Sequence, residues 1–257
     1  MDVEGLKTHL QKYPIEYQYN PNTGLFVSGM KVSKDKIAEV IQSVKDNGGM
    51  FIYVHPYHFT PTYGGYYDPV DVMDRAFADG IGFEVYNQIA ESYGAEQNTN
   101  AYDGWVEMIN AGKQLWATHG SDCHSTLPDI ISLNTFYTTD KSAGSGFELL
   151  KVGNFTAGPV GIRLAVGDTL TGSKGSFEGQ RVVLAVGDFH PQIVEEGHTY
   201  RVDIYDNTGL VHSQEISTTE MNYFAFDADS SKTLYRADVV DATTGKMVAT
   251  GNPVWNG

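Results

Sequence analysis

The chain has 257 residues, enough for one large domain or two ordinary ones, each with its own core. Its hydrophobic content of 41% and charged content of 19% are typical of a soluble globular protein and argue against wholesale disorder. A net charge of −15 argues against nucleic-acid binding, and the single cysteine, Cys123, excludes an internal disulfide and a cysteine-based zinc cluster.

Helical and strand patterns alternate through the first part of the chain. Ser33 can cap a helix whose apolar residues recur at intervals of three and four positions, and Asn47-Gly48-Gly49 ends it. The elements predicted after it are a strand at 50–55 (MFIYVH), a helix from Asp68-Pro69 to Gly80, a strand at 81–86 (IGFEVY), a helix around Trp105 ending at Gly112, a strand at 114–119 (QLWATH), a short strand (NTFYTT) and a helix at 147–150. This alternation predicts βα units built on a parallel sheet or barrel.

The helical period disappears after residue 155. Alternating strands are predicted at 181–186, 199–205, 234–240 and 246–250, separated by Asn-Thr-Gly and Thr-Thr-Gly turns. Short strands at this spacing indicate an antiparallel sandwich of about 100 residues. We therefore predict two domains, 1–155 and 156–257.

Polar side chains occur at the ends of three predicted strands. His55 ends the first, the second contains Glu84 and ends at Asn87, and the third runs into Asp122 and His124. Because sites form at the C-terminal ends of parallel strands, we expect these residues to converge. Histidine and carboxylate ligands suit zinc, manganese or iron.

Each of these residues also has a structural interpretation. His55 could bond a backbone carbonyl, Asp-x-His pairs are common, and Glu84 could have a structural partner as readily as a metal. His119 could hydrogen-bond to a metal ligand and orient it, although packing is the simpler role. His58 could contact a substrate or only shape a loop.

The order of the segments resembles the polymerase-and-histidinol-phosphatase (PHP) metallohydrolases. The segments that carry the resemblance are GGMFIYVHP, GIGFEVYN, GSDCHS, GNFTAGPVGIRLAVGDTL and the closing GNPVWNG. They are most similar to the carbaryl-hydrolase-like branch, which includes many uncharacterised bacterial members, and they cover roughly residues 35–257. The resemblance implies that His55, Asp122 and His124 are metal ligands, that Glu84 has a catalytic role which varies within the family, and that the intact enzyme holds two or three divalent ions.

The His-x-His and Thr-Asp-His segments that begin PHP enzymes do not occur before His55. The predicted fold class is therefore α/β, an incomplete distorted (βα)7 PHP-type barrel followed by a small antiparallel β-sandwich domain. A truncated chain, completion by another chain, and a degenerate family member are the three explanations, with truncation placed first.

The predicted function is metal-dependent hydrolysis of a phosphoester, or of a carboxylic or carbamate ester, through metal-activated water. His58 is the candidate for leaving-group protonation, and the chain as it stands is expected to be weak or inactive. The alternative is a non-catalytic binding module with a degenerate metal site. The expected partner is a small-molecule ester, with no nucleic acid or membrane and a possible homo-oligomer; location is left open, with the cytoplasm favoured.

Overall fold

The computed structural model describes residues 3–12, 15–20, 25–30, 37–56, 80–89, 96–123 and 132–257. The helices in these ranges are α1 (Val3–Lys12), α2 (Ile37–Asp46), α3 (Glu96–Asn110) and α4 (Ala143–Lys151), with a 3-10 turn at Pro191–Ile193. The strands of the first part are β1 (Ile15–Asn20), β2 (Leu25–Met30), β3 (Ile52–Tyr53), β4 (Ile81–Asn87), β5 (Leu115–Gly120) and β6 (Asn134–Thr135). Those of the second part are β7 (Thr156–Ala157), β8 (Gly161–Val166), β9 (Thr169–Leu170), β10 (Lys174–Gly175), β11 (Arg181–Gly187), β12 (Tyr200–Asp206), β13 (Gly209–Ile216), β14 (Asn222–Asp227), β15 (Leu234–Asp241), β16 (Met247–Gly251) and β17 (Val254–Asn256).

A three-stranded parallel sheet with the order β3-β4-β5 lies at the centre of the first part. Every residue of β4 is buried, as expected for a parallel strand covered on both faces. Helix α3 packs against β4 through the fully buried Trp105, whose indole N–H donates to the carbonyl of Leu115. The sheet, α2 and α3 supply most of the first core.

Side-chain amides bond to the edge of β5 that does not pair with β4. The N–H of Ala117 donates to Asn252 Oδ1 at 2.7 Å, and the N–H of His119 donates to Asn134 Oδ1 at 3.0 Å. Asn134 Nδ2 returns a bond to the carbonyl of His119, and Asn252 Nδ2 donates to the carbonyl of Phe155. These amides satisfy backbone groups that the next strand of a barrel would otherwise pair.

The predicted (βα)7-type, TIM-like barrel is therefore wrong. Across the described ranges the chain is mostly β-strand, arranged in four separate sheets and accompanied by four helices. Local helix and strand alternation was a correct guide to β3, β4 and β5, but part of the cover over this sheet, Leu234 and Trp255, comes from the β-rich second part of the chain.

The second part packs two sheets around a second core. The larger sheet runs β10-β17-β15-β16-β7-β6, with β12 and β13 joined to it through β15, and the smaller runs β14-β11-β8-β9. Alternate residues of β8 and β11 point inward, such as Ile162 and Leu184. The core side chains come from both sheets: Val160, Ile162, Leu164, Val166, Phe177, Val182, Leu184, Val186, Val202, Ile204, Tyr235, Ala237, Val239, Ala249 and Val254.

The two parts share packing across the predicted boundary at residue 155. Leu234 and Trp255, from β15 and β17, belong to the first core beside Phe83 and Trp105. Strand β6, which precedes the boundary, pairs with β7. The division into 1–155 and 156–257 stays a prediction.

Several elements differ from their sequence expectation. The strand predicted at 50–55 is limited to β3, and the hairpin of β1 and β2 was not predicted. The helix predicted from Asp68-Pro69 to Gly80 lies outside the described residues. No helix within the described ranges is long and apolar enough to cross a membrane.

Candidate functional site

Glu84 is a buried carboxylate in the middle of an apolar strand. It lies on β4 with 6% of its surface exposed. Its Oε2 accepts the backbone N–H of His55 at 2.6 Å and the side-chain N–H of Asn87 at 3.2 Å. The carboxylate therefore joins the segment after β3 to the end of β4.

The approach of Glu84 to β5 depends on the absence of a side chain at Gly120. A Cβ at this glycine would lie 1.8 Å from Glu84 Oε1. Since non-bonded atoms do not approach so closely, any larger residue would displace the carboxylate. Gly120 thus makes room for Glu84 at the C-terminal edge of the sheet.

The surroundings of Glu84 favour its protonated form. Burial raises the pKa of its carboxyl group, and the charge of Asp122 adds to this effect. The hydrogen bonds from the His55 backbone and Asn87, with the charge of His55, act in the opposite direction but do not cancel it. A raised pKa is common among carboxyl groups that donate or accept protons in catalysis.

The residues on either side of Glu84 adopt left-handed backbone conformations. His55, after β3, has a φ of 33°, and Asp122, after β5, has a φ of 51°. Such conformations in residues other than glycine cost about 1–3 kcal/mol each and concentrate at functional sites. Both turns occur where a parallel strand ends, which is where ligands bind in open α/β sheets.

Of the five residues singled out from the sequence, three lie within the described residues. His55, Glu84 and Asp122 come together at the C-terminal edge of the three-stranded sheet. His58 and His124 lie outside the described ranges. Within those ranges no group of three or more histidine, cysteine, aspartate or glutamate side chains is placed to hold a metal ion, so the predicted zinc or manganese centre is not found there.

Asn98 was missed by the sequence reasoning, which identified only its partner Asn87 as the polar end of the strand. The N–H of Asn87 donates to Asn98 Oδ1 at 2.9 Å, and Asn98 Nδ2 donates to the carbonyl of Asn87 at 3.1 Å. This reciprocal pair attaches the end of β4 to the first turns of α3. The sequence pattern marks Asn87, the polar residue that ends the apolar run of β4, but not Asn98 within α3.

The segment after β5 is held against the same edge. Ser132 donates its hydroxyl to the carbonyl of Gly120 at 2.7 Å, and its N–H donates to Gln88 Oε1. The return of the chain at Ser132 therefore fixes the position of Gly120, and through it the position of Glu84. Cys123, between the candidate ligands, is exposed.

His119 lies behind this edge and is buried. Burial lowers the pKa of its imidazole to about 3, so the ring is neutral at physiological pH. Its centroid is 4.9 Å from that of Tyr86, and its ring nitrogens have no hydrogen-bond partner among the described residues. This environment agrees with a packing role.

No family model and no curated protein matches the chain. One similar solved structure is the CARDB domain of the PF1109 protein from Pyrococcus furiosus, crystallised in complex with di-metal ions. The match has 12% identity and a TM-score of 0.24, and covers 38% of this chain and 91% of that chain.

Proposed function

We propose that the protein is a metal-dependent ester hydrolase with weak activity in the chain as it stands, with a phosphoester as the first substrate class and a carboxylic or carbamate ester as the second. The observation that carries the proposal is the buried Glu84 carboxylate at the C-terminal edge of a parallel sheet, flanked by the left-handed turns of His55 and Asp122. Strained turns and a carboxyl group with a raised pKa, gathered at one edge, are typical of catalytic sites.

Glu84 is the proposed general acid–base group. In its ionised form it would take a proton from an attacking water, and in its protonated form it would donate one to the leaving oxygen. Asn87 and the backbone N–H of His55 hold Oε2 in place, and the glycine at position 120 leaves room at Oε1. His58 stays a candidate for protonating the leaving group.

A divalent ion is the second component of the proposal. The described residues fit such an ion in part, because a carboxylate at Asp122 and an imidazole at His55 are suitable donor types at the right edge, while His124 is needed to complete the set. Zinc, manganese or iron bound there would lower the pKa of a coordinated water to about 7.

The decisive experiment measures metal content and turnover on the same purified protein. Metal is quantified by mass spectrometry, and hydrolysis is followed with p-nitrophenyl phosphate, p-nitrophenyl acetate and an aryl carbamate. Asp122→Asn combined with His124→Asn is expected to remove the metal, and Glu84→Gln to retain it while turnover falls by about 100-fold or more. Asp103→Asn and Glu107→Gln, on the exposed face of α3, are matched controls that should change neither quantity.

Metal that survives the double substitution would contradict the ligand assignment. Turnover that is unchanged in Glu84→Gln would contradict the acid–base role. A protein that holds no metal and turns over none of the three substrates would favour the alternative, a non-catalytic binding module.

A further inference from the structure

The two strands β13 and β14 form an exposed groove on the β-rich part of the protein. The groove, named here the edge groove, has a volume of about 390 Å³ and is lined by Val211, His212, Gln214, Phe224, Ala225 and Phe226. Strand β13 pairs with β12 alone and β14 with β11 alone, so each lies at the edge of its sheet among the described strands. Exposed apolar surface is concentrated here, since Tyr223 is 74% exposed and Val211 is 46% exposed.

Strand β14 presents a regular edge to solvent. Its side chains alternate, with Phe224 and Phe226 packed against the second core and Tyr223, Ala225 and Asp227 exposed. The N–H of Ala228 donates to the carbonyl of Gln180, which continues the register of β14 and β11.

Antiparallel pairs alternate between hydrogen-bonded and non-bonded positions. The hydrogen bond at Ala228 therefore places Phe226 and Phe224 in bonded pairs with β11. By the same alternation, the backbone N–H and C=O groups of Tyr223, Ala225 and Asp227 point away from β11, toward the free edge.

Compared with β14, strand β13 is poorly suited to pair with an added strand. Its register with β12 passes from His212 to Leu210 and skips Val211, which identifies a β-bulge at Val211. A bulge in an edge strand disrupts the regular spacing that another strand needs. The bulge instead helps to bring Val211 to the groove together with His212 and Gln214.

The charge of this surface is acidic, with one cation beside it, because Arg181 of the neighbouring β11 lies 3.6 Å from Asp227. Residues 209–227 contain Glu215, Glu220 and Asp227 and no lysine or arginine. The chain as a whole has a net charge of −15, which disfavours a second copy of the same chain as the occupant. A partner that complements this surface is basic and has apolar side chains for the groove.

We propose that β14 binds an extended, basic segment of a partner protein by strand addition. The segment hydrogen-bonds to the outward backbone groups of Tyr223, Ala225 and Asp227, and its alternate aliphatic side chains enter the edge groove beside Phe224 and Phe226. Backbone pairing supplies affinity, while the groove and the acidic residues supply selectivity. A strand of six residues, the length of β14, is sufficient.

The test uses the full chain and three fluorescein-labelled peptides of six residues. The probe alternates lysine and valine, a matched peptide alternates glutamate and valine, and a third repeats the probe with N-methyl groups on every second backbone nitrogen. We expect the fluorescence anisotropy of the lysine probe to rise to saturation with protein concentration, and the affinity to fall as salt is raised. The other two peptides should bind at least roughly tenfold more weakly. Equal binding of the lysine and glutamate peptides, or of the lysine probe and its N-methylated form, overturns the proposal.

Two variants locate the binding. Ala225→Pro removes one outward N–H and leaves the β14–β11 bonds in place, a position where edge strands tolerate proline. The affinity for the lysine probe should fall roughly tenfold in this variant. Ala225→Ser, which keeps the N–H, should bind the probe as the wild type does. An unchanged affinity in Ala225→Pro overturns the proposal. So does self-association in sedimentation that the lysine probe does not reverse, because the occupant would then be a second copy.

Discussion

Gly120 determines where the Glu84 carboxylate can lie, and this leads to the first prediction. Gly120→Ala would place a Cβ 1.8 Å from Glu84 Oε1, so the carboxylate must move. We expect a loss of about 1–3 kcal/mol in the free energy of unfolding and a large loss of the proposed hydrolysis. Urea denaturation and substrate turnover measure the two effects.

Gly146→Ala is the matched control for this substitution. Gly146 lies in α4 and no atom lies within 4 Å of the Cβ it would gain. Alanine there should leave turnover unchanged and raise the free energy of unfolding by up to about 1 kcal/mol. If Gly120→Ala behaves as this control does, the close approach of Glu84 to β5 is not a constraint on the site.

His119 gives the second prediction, which concerns pH. Its imidazole has a pKa of about 3 when folded, against 6.5 in the unfolded chain. The unfolded state therefore binds more protons below pH 6.5, and the contribution of the neutral ring to stability is lost as pH falls from 6.5 toward 3. His119→Gln should flatten the dependence of unfolding free energy on pH over this range, by up to about 1.4 kcal/mol per pH unit.

The comparison between wild type and His119→Gln isolates this effect from the carboxylates, which titrate in both proteins. Denaturant melts at pH 6.5, 5.5 and 4.5 are sufficient to obtain the two slopes. Parallel slopes would mean that the ring gains a proton without cost in the folded state, contrary to its burial.

The sequence identified Glu84 because a carboxylate in an apolar strand needs a partner, and it identified His55 and Asp122 because each follows a predicted strand of the parallel sheet. The sequence did not identify Gly120 or Asn98 as parts of the site. Their roles depend on an approach between β4, β5 and α3 that local patterns do not encode. The left-handed conformations of His55 and Asp122 were equally hidden, since neither residue type requires them.

At the scale of elements, the edge of β5 shows how side chains can end a sheet. Asn252 bonds the N–H of Ala117 and the carbonyl of Phe155, and it is fully buried. Asn252→Leu would leave these buried backbone groups without partners, at a cost of about 1–3 kcal/mol for each. We expect a lower midpoint in thermal and urea unfolding.

Asn110→Leu, at the exposed end of α3, provides the control and should change the midpoint little. A small effect of Asn252→Leu would mean that β5 finds another partner for its edge. The barrel prediction failed at this point, because βα alternation predicts that parallel strands form but not where their sheet stops. The stop depends on two asparagines, Asn134 and Asn252, that are far apart in the sequence.

At the scale of the whole molecule, a buried polar cluster joins α3 to β15. The hydroxyl of Tyr102 donates to Asp238 Oδ2 at 2.5 Å and accepts from Arg236 at 2.8 Å, and Arg236 also bonds Asp238. The guanidinium lies over the ring of Tyr205 at 4.1 Å. Since Arg236 and Asp238 are both almost fully buried, each depends on this cluster for its partners.

Tyr102→Phe should therefore lower the free energy of unfolding by about 1–3 kcal/mol. All three tryptophans lie in the first core, so their fluorescence reports that core, while far-ultraviolet circular dichroism reports the sheets of both parts. We expect the two signals to give coincident transitions in the wild type and a common shift in the variant. Separate transitions in the wild type would contradict a shared unfolding unit, and Tyr223→Phe, at an exposed position, is the control.

The placement of Leu234 and Trp255 in the first core has a consequence during synthesis on the ribosome. Strands β3, β4 and β5 emerge well before β15 and β17, so the first core lacks Leu234 and Trp255 while the rest of the chain is still being translated. The first core is therefore completed only after these later residues have been translated. A nascent chain stalled before Leu234 would have an incomplete first core, whereas one released after Trp255 would have all of its members.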